Sequence, residues 1–163
     1  MMTHSEPRLQ LLLDDIDEMR RLDPGGILNL VAGFSGQIQE ALRISDNIRL
    51  PDNLGGLRNI VTVGLGGSGI SGDVIRELTS HEVEVPITAV KGYDLPAFVD
   101  SGTLVFALSY SGNTEETLSA YEIARKRGAG IVCITSGGRL LEAARFHNVP
   151  VVVVPGGLPP RCA

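Results

Sequence analysis

The chain has 163 residues, of which 43 % are hydrophobic and 20 % charged, so it can form one domain with a substantial core. Its formal net charge of −5 argues against nucleic-acid binding, which needs clustered lysines and arginines. Because no apolar run reaches the roughly 18 residues of a membrane span and no signal peptide is recognisable, we expect a soluble, cytoplasmic protein with no membrane partner.

Residues 1–58 are predicted to form a helical segment that packs on the domain after it. Apolar side chains recur at helical spacing over residues 9–19, with acidic residues on the opposite face. The sequence Asp-Pro-Gly-Gly at 23–26 is predicted to end this helix. A second helix is predicted over 27–43, although Gly33 and Gly36 weaken its intrinsic propensity.

Residues 59–163 are predicted to form one α/β domain. The predicted strands are 60–63, 87–90, 104–108, 130–135 and 151–154. Helices are predicted at 70–80, 113–127 and 140–146, with a short helical turn near Ala97. The strands are apolar throughout rather than alternating, which favours a five-stranded parallel sheet covered on both faces. Right-handed connections then make the sheet doubly wound.

Two loops of this domain have the composition of a binding site. Residues 64–69 (Gly-Leu-Gly-Gly-Ser-Gly) follow the first strand, and residues 109–114 (Ser-Tyr-Ser-Gly-Asn-Thr) follow the third. In the flavodoxin-like strand order 2-1-3-4-5, these strands are neighbours and the topology reverses between them. The two loops are therefore predicted to face each other across one crevice.

The second loop is predicted to bind an anion such as phosphate. It combines the hydroxyls of Ser109, Ser111 and Thr114 with the start of a helix. Backbone N–H groups there lack intrahelical partners, and the helix dipole favours negative charge. Ser111 or Thr114 could instead serve as a helix cap, but a cap needs only one hydroxyl. Glu115 and Glu116 suit the dipole and are expected to point away from a bound phosphate.

The glycine-rich loop admits three interpretations. Gly64, Gly66 and Gly69 fit the G-x-G-x-x-G pattern of NAD-binding domains, but no acidic residue ends the second strand to hold a ribose. The glycines could also serve only a tight strand-to-helix turn. In the interpretation that we favour, they let the backbone approach a sugar phosphate while Ser68 donates its hydroxyl.

Five other residues are candidates of lower weight. Lys91 and Tyr93 follow the second strand, where they could shape the pocket. Arg161 follows a Gly-Gly-Leu-Pro-Pro turn after the last strand, from which it could reach a sugar oxygen or a phosphate. His81 and His147 lie at predicted helix ends and are expected to be surface or turn residues. No cysteine or histidine spacing indicates a metal site.

The loops and the end of the chain resemble the sugar isomerase (SIS) domain family. Residues 61–73, 109–117 and 154–161 are most similar to the N-terminal domain of its bifunctional phosphoglucose/phosphomannose isomerases, and the resemblance extends over about 59–163. It implies the SIS fold and interconversion of glucose 6-phosphate or mannose 6-phosphate with fructose 6-phosphate. The reaction passes through an enediolate and needs no metal or other cofactor.

The resemblance also implies roles for individual residues. Arg161 would be catalytic by stabilising the charged intermediate. The residues that would bind the substrate phosphate are Gly67, Ser68, Ser109, Ser111 and Thr114, and possible further contacts are Gly66, Gly112 and Asn113. A carboxylate base and an acid for ring opening are also required.

These isomerases carry two SIS domains, whereas the chain stops soon after the first. The resemblance assigns the base to the second domain, so we expect this chain to supply the phosphate-binding half and to form a homodimer by SIS–SIS pairing. A phosphosugar-binding regulatory module without catalysis is the alternative. A single-domain isomerase with its base supplied by a second copy and an NAD-binding domain are lesser alternatives.

Overall fold

The computed structural model describes residues 15–158, which belong to two compact units that meet in sequence between Glu40 and Ala41. The helices of the first unit are α1 (Ile16–Leu22), α2 (Ile27–Ala32) and α3 (Phe34–Ser45), the last of which ends in the second unit. Most of the helix predicted over 9–19 lies outside the described residues. The packing predicted for residues 1–58 stays a prediction.

Aspartate side chains pair with backbone N–H groups at the starts of the first two helices. The Asp15 carboxylate accepts hydrogen bonds from the backbone N–H groups of Asp17 and Glu18 and so begins α1. Asp23 ends α1, and its carboxylate accepts from the N–H groups of Ile27 and Leu28 at 2.9 and 2.8 Å. The break predicted at 23–26 is therefore confirmed, with Asp23 linking the two helices.

The single helix predicted over 27–43 is wrong. The chain forms α2 and α3 instead, separated by Gly33, which ends α2. A glycine costs about 1 kcal/mol relative to alanine inside a helix, so a helix is easily interrupted at this position. The apolar periodicity continues across Gly33, which is why the pattern alone does not show the interruption.

The second unit contains a five-stranded parallel sheet in the order β2-β1-β3-β4-β5, which confirms the predicted fold class and strand order. Its strands are β1 (Asn59–Val63), β2 (Ile87–Val90), β3 (Thr103–Leu108), β4 (Gly130–Thr135) and β5 (Val151–Val153). Its helices are α4 (Gly67–Thr79), α5 (Glu115–Lys126) and α6 (Gly138–Phe146), with a 3-10 turn at Asp52–Leu54. No helix within residues 15–158 has the length and apolar character required to span a membrane.

The helical turn predicted near Ala97 is also wrong. The chain makes a turn there, closed by a hydrogen bond of 3.1 Å from the Val99 N–H to the Pro96 carbonyl. This one hydrogen bond closes a single turn, and the segment does not continue as a helix.

The sheet is buried on both faces because alternate side chains of each strand enter different apolar clusters. Val61, Val105 and Cys133 belong to the cluster under α5 and α6. Leu104 and Val132 belong to the cluster on the other face. Burial on both faces explains why the strands read as continuous apolar runs.

Two ionisable groups in this core make stability sensitive to alkaline pH. Burial raises the pKa of the Cys133 thiol from 9.0 to about 12 and that of the Tyr121 hydroxyl from 10.0 to about 12. Both groups have a higher pKa in the folded state than in the unfolded state. Their contribution to the free energy of unfolding is therefore complete below the unfolded-state pKa values and is lost as the pH rises through the folded-state pKa values. We expect the free energy of unfolding, measured by urea titration, to fall between about pH 9 and 12.

The Cys133→Ala variant is the control for this prediction. It removes the group with the larger pKa rise, so its free energy of unfolding should depend less on pH over the same range. An alkaline profile parallel to that of the wild type would contradict a role for Cys133.

Candidate anion-binding site

The two loops predicted to form a site meet at the carboxyl edge of the sheet. Strands β1 and β3 are parallel neighbours, with Val63 opposite Ala107 at their ends. A hydrogen bond of 3.3 Å runs from the backbone N–H of Tyr110 in the second loop to Oγ of Ser68 in the first. Adjacent parallel strands bring both loops to one edge, and this bond joins them directly.

The glycines of the first loop have two different roles. A Cβ atom on Gly64 would lie 2.8 Å from the Ser68 carbonyl oxygen, and one on Gly69 would lie 2.6 Å from the Gly64 carbonyl oxygen. These two glycines allow close packing of strand and helix. Gly66 has a φ of 58°, and a Cβ there would meet no atom within 4 Å, so its backbone is open to a ligand.

An ion pair occupies the end of β2, where an NAD-binding domain places its ribose-binding acid. Nζ of Lys91 lies 2.5 Å from Oδ2 of Asp73, and the Lys91 side chain passes over Gly69. The hydrogen bond from Lys91 holds the pKa of Asp73 below its usual value. This arrangement disfavours the NAD interpretation and leaves Lys91 engaged with Asp73.

The three hydroxyls of the second loop lie at different depths. Ser109 is only 1 % exposed, and its Oγ is 2.9 Å from Oγ1 of Thr114, which is half-buried. Ser111 is exposed, and its Oγ accepts a hydrogen bond of 3.2 Å from the Asn113 N–H. The buried Ser109 hydroxyl therefore orients the Thr114 side chain. Of these three hydroxyls, those of Ser111 and Thr114 are the ones that solvent can reach.

The start of α5 carries donors that have no partner in the described part of the chain. Thr114 precedes the helix, and its side chain makes no capping hydrogen bond. Within residues 15–158, no acceptor pairs with the backbone N–H groups of Glu115, Glu116 or Thr117. Three converging N–H groups at the positive end of a helix dipole can bind an anion.

The start of α6 differs, because the second loop occupies its donors. The Arg139 N–H donates to Oδ1 of Asn113, and the Leu140 N–H donates to the carbonyl of Gly112 at 2.9 Å. The side-chain amide of Asn113 also donates to the Ser111 carbonyl at 3.1 Å. Gly112 and Asn113 therefore connect the second loop to the start of α6. The donors at the start of α5 make no such bonds within residues 15–158.

A third loop, which sequence reasoning missed, supports the second. It contains residues 135–138 (Thr-Ser-Gly-Gly), from the last residue of β4 to the first of α6. Gly112 has a φ of 67°, and a Cβ on it would overlap the Gly137 carbonyl oxygen. A Cβ on Gly138 would overlap the Ser111 carbonyl oxygen. The signal was present, since polar residues and glycines follow an apolar strand here as they do in the second loop.

Two carboxylates adjoin the site. Oη of Tyr93 lies 3.5 Å from Oε2 of Glu115. The charge of Glu116, burial and the charge of Glu115 together raise the pKa of Tyr93. Tyr93 thus lies beside the first turn of α5. That Glu115 and Glu116 both point away from a bound anion stays a prediction.

The remaining candidates lie elsewhere. His81 is exposed, whereas His147 is half-buried, with Nδ1 2.9 Å from Oη of Tyr121. Arg161, the predicted catalytic residue, is outside the described residues. Two concavities, of about 550 and 460 Å³, lie around β5 and residues 44–52 and share no residue with the crevice.

Comparison with known proteins supports a family assignment. The sequence profile of the SIS domain matches residues 56–149. The bifunctional phosphoglucose/phosphomannose isomerase of Caldicellulosiruptor bescii is 46 % identical over 127 residues, which cover 78 % of this chain and 38 % of that protein. The D-glucosamine-6-phosphate 4-epimerase of Sulfolobus acidocaldarius is 41 % identical over 103 residues, which cover 63 % of this chain and 32 % of that protein.

A solved structure agrees at the level of the fold. The C-terminal domain of glucosamine-fructose-6-phosphate aminotransferase from Francisella tularensis superposes with a TM-score of 0.56 at 20 % identity, covering 69 % of this chain and 33 % of that one. The chain thus spans little more than a third of the curated isomerase that it matches. The resemblance predicted from the two loops is confirmed, and the chain belongs to the SIS domain family.

Proposed function

We propose that this chain binds hexose 6-phosphates and supplies the phosphate-binding half of an aldose–ketose isomerase. The reaction would interconvert glucose 6-phosphate or mannose 6-phosphate with fructose 6-phosphate. The observation that carries the proposal is the cluster of N–H groups at the start of α5, which have no acceptor within residues 15–158 and lie next to Ser111 and Thr114 in the sequence. The second loop, which holds these two hydroxyls, is joined to the glycine-rich loop by the hydrogen bond from the Tyr110 N–H to Ser68. The choice of reaction is supported by the name of the Caldicellulosiruptor bescii relative, a bifunctional phosphoglucose/phosphomannose isomerase.

The phosphate would be held mainly by uncharged donors. Ser111 and Thr114 would donate their hydroxyls, and the N–H groups that begin α5 would complete the cradle from the second loop. Across the crevice, the N–H groups of Gly67 and Ser68 also have no acceptor within residues 15–158. Hydrogen bonds to an anion are roughly twice as strong as those between neutral groups, so several can hold a phosphate without a lysine.

The isomerisation itself needs groups at the other end of the sugar. A base must move a proton between C1 and C2, and donors must stabilise the enediolate oxygen as its charge develops. We assign the second role to Arg161. Glu115 and Glu116 begin the helix that would bind the phosphate, so they lie at the wrong end of the sugar to act as the base. The resemblance assigns the base to the second SIS domain of these isomerases, so we place the base outside this chain.

Binding without catalysis is the alternative, and the same site would serve it. Separately, a relative of comparable identity is named for a different reaction, a 4-epimerisation of D-glucosamine 6-phosphate, so identity at this level does not by itself fix the reaction. A coupled assay of fructose 6-phosphate isomerisation tests whether the isolated chain carries a base of its own. We expect binding of fructose 6-phosphate without turnover by the isolated chain, and turnover would show that the chain or its homodimer contains a base.

Calorimetric titration with fructose 6-phosphate tests the assigned donors. Ser111→Ala and Thr114→Val each remove one hydroxyl donor to a charged group, which contributes about 1.5–3 kcal/mol, so affinity should fall about tenfold to a hundredfold. Ser101→Ala, at the opposite edge of the sheet, is the matched control and should bind as the wild type does. Unchanged affinity in both site variants would refute the phosphate cradle.

A further inference from the structure

Tyr110 connects the second loop to three other segments. Its N–H donates to Ser68 in the first loop. Its carbonyl accepts from the Ser136 N–H at 3.0 Å and from Oγ of Ser136 at 2.6 Å. Its phenol reaches the segment after β5 and bonds to Pro155 and Leu158. Any residue with a backbone N–H could make the contacts with Ser68 and Ser136. The bonds to Pro155 and Leu158 require a hydroxyl at the end of a long, rigid side chain.

We call residues 155–158 (Pro-Gly-Gly-Leu) the strap. Oη of Tyr110 donates to the Pro155 carbonyl at 3.1 Å and accepts from the Leu158 N–H at 2.9 Å. One hydroxyl can do both, since it has one proton and two lone pairs. The phenol therefore binds both ends of the strap and closes it into a loop.

Among residues 15–158, few other contacts hold the strap in place. Residues 156 and 157 are exposed, and Leu158 is only half-buried. A Cβ on Gly156 would lie 3.7 Å from Cβ of Ser136, so the strap lies over the third loop in ordinary contact. Gly157 has a φ of 86°, and a Cβ there would have no neighbour within 4 Å. With so little apolar burial, the two bonds to Tyr110 are its principal anchor.

We propose that Tyr110 is a positioning residue that holds the strap at the carboxyl edge of the sheet, beside the hexose end of the bound substrate. This proposal rests on the proposed function. Tyr110 lies between Ser109 and Ser111, so a phosphate that orders the second loop also orders the phenol and the strap. Arg161 follows Leu158 by three positions in the sequence, so the strap leads directly into the predicted catalytic residue.

The consequence is a difference between two ligands. Inorganic phosphate contacts only the loops, and its affinity should not depend on the strap. Under this proposal a hexose 6-phosphate extends toward the strap, and its affinity should depend on Tyr110. The phenol is thus expected to contribute to recognition of the sugar rather than of the phosphate.

Tyr110→Phe tests this, because it keeps the ring and removes only the hydroxyl. Tyr121→Phe is the matched control, since it removes a buried tyrosine hydroxyl that is bonded to Ala143 and His147 away from the crevice. In Tyr110→Phe, hydrogen exchange of the Leu158 amide should accelerate about tenfold. Affinity for fructose 6-phosphate should fall about threefold to tenfold, and affinity for inorganic phosphate should stay within about twofold.

Three results would overturn the proposal or its premise. Unchanged exchange at Leu158 would show that the phenol does not anchor the strap. An equal loss of affinity for fructose 6-phosphate and inorganic phosphate would show that Tyr110 acts on the phosphate loop instead. A wild-type chain that binds no fructose 6-phosphate would refute the proposed function, and the exchange rate at Leu158 would then still decide whether Tyr110 anchors the strap.

Discussion

Gly112→Ala is expected to lower the free energy of unfolding by about 3–5 kcal/mol, because it combines backbone strain with a steric overlap. The φ of 67° at Gly112 is unfavourable for any residue with a Cβ. The added methyl would also overlap the Gly137 carbonyl oxygen and press on Oγ1 of Thr135. Backbone atoms cannot move aside as a flexible side chain can, so the second and third loops must separate. Urea unfolding measures the loss.

Gly128→Ala separates the two contributions. Gly128 has a comparable φ of 73°, but a Cβ there would meet only Cβ of Ser101 at 4.0 Å, which is an ordinary contact. Its cost should be limited to the strain of a left-handed conformation, about 1–2 kcal/mol. Equal losses in the two variants would show that the contact between Gly112 and Gly137 contributes nothing.

Ser111→Asp should abolish hexose 6-phosphate binding while leaving the fold intact. Ser111 is exposed, and a carboxylate near the start of α5 is compatible with the helix dipole, so stability should change by less than about 1 kcal/mol. A carboxylate about 4 Å from a phosphate charge costs about 4 kcal/mol near a protein surface, which corresponds to a loss of affinity greater than about a hundredfold. Calorimetry for binding and urea titration for stability measure the two effects separately.

Two controls make this result specific. Ser111→Asn has nearly the same size as the aspartate variant but no charge, and it should retain measurable binding. Ser101→Asp adds the same charge before β3, at the opposite edge of the sheet, where screening at physiological salt should leave binding unchanged. Binding that survives in Ser111→Asp would place the anion somewhere other than the second loop.

Local sequence patterns and general rules of topology were sufficient to predict the strands and their order. The runs at 60–63 and 104–108 are apolar because both faces of the sheet are covered, and this burial is visible in the sequence itself. The rules for connections between parallel strands then leave few possible orders. The juxtaposition of the two loops followed from that order, and the bond between Tyr110 and Ser68 agrees with it.

The sequence does not predict the environment of a residue where contacts with residues distant in the sequence determine it. Among residues of the second loop with similar polarity, Ser109 is buried and hydrogen-bonded to Thr114, whereas Ser111 is exposed. Gly64 and Gly66 belong to one motif, yet one is needed for packing and the other is open. Local composition cannot separate such pairs, because each difference depends on which atoms the fold places beside them.

The α/β class, the strand order and the two loops that meet at the carboxyl edge can all be inferred from the amino-acid sequence alone. The hydrogen bonding of the site cannot be inferred in this way. The donors of α5 have no acceptor within residues 15–158, whereas those of α6 bind the second loop. Nor does the sequence indicate that Tyr110 joins segments 42 and 45 positions away from it. The physical reason is that hydrophobic periodicity reports burial along an element, whereas hydrogen bonds between loops depend on the relative positions of several elements.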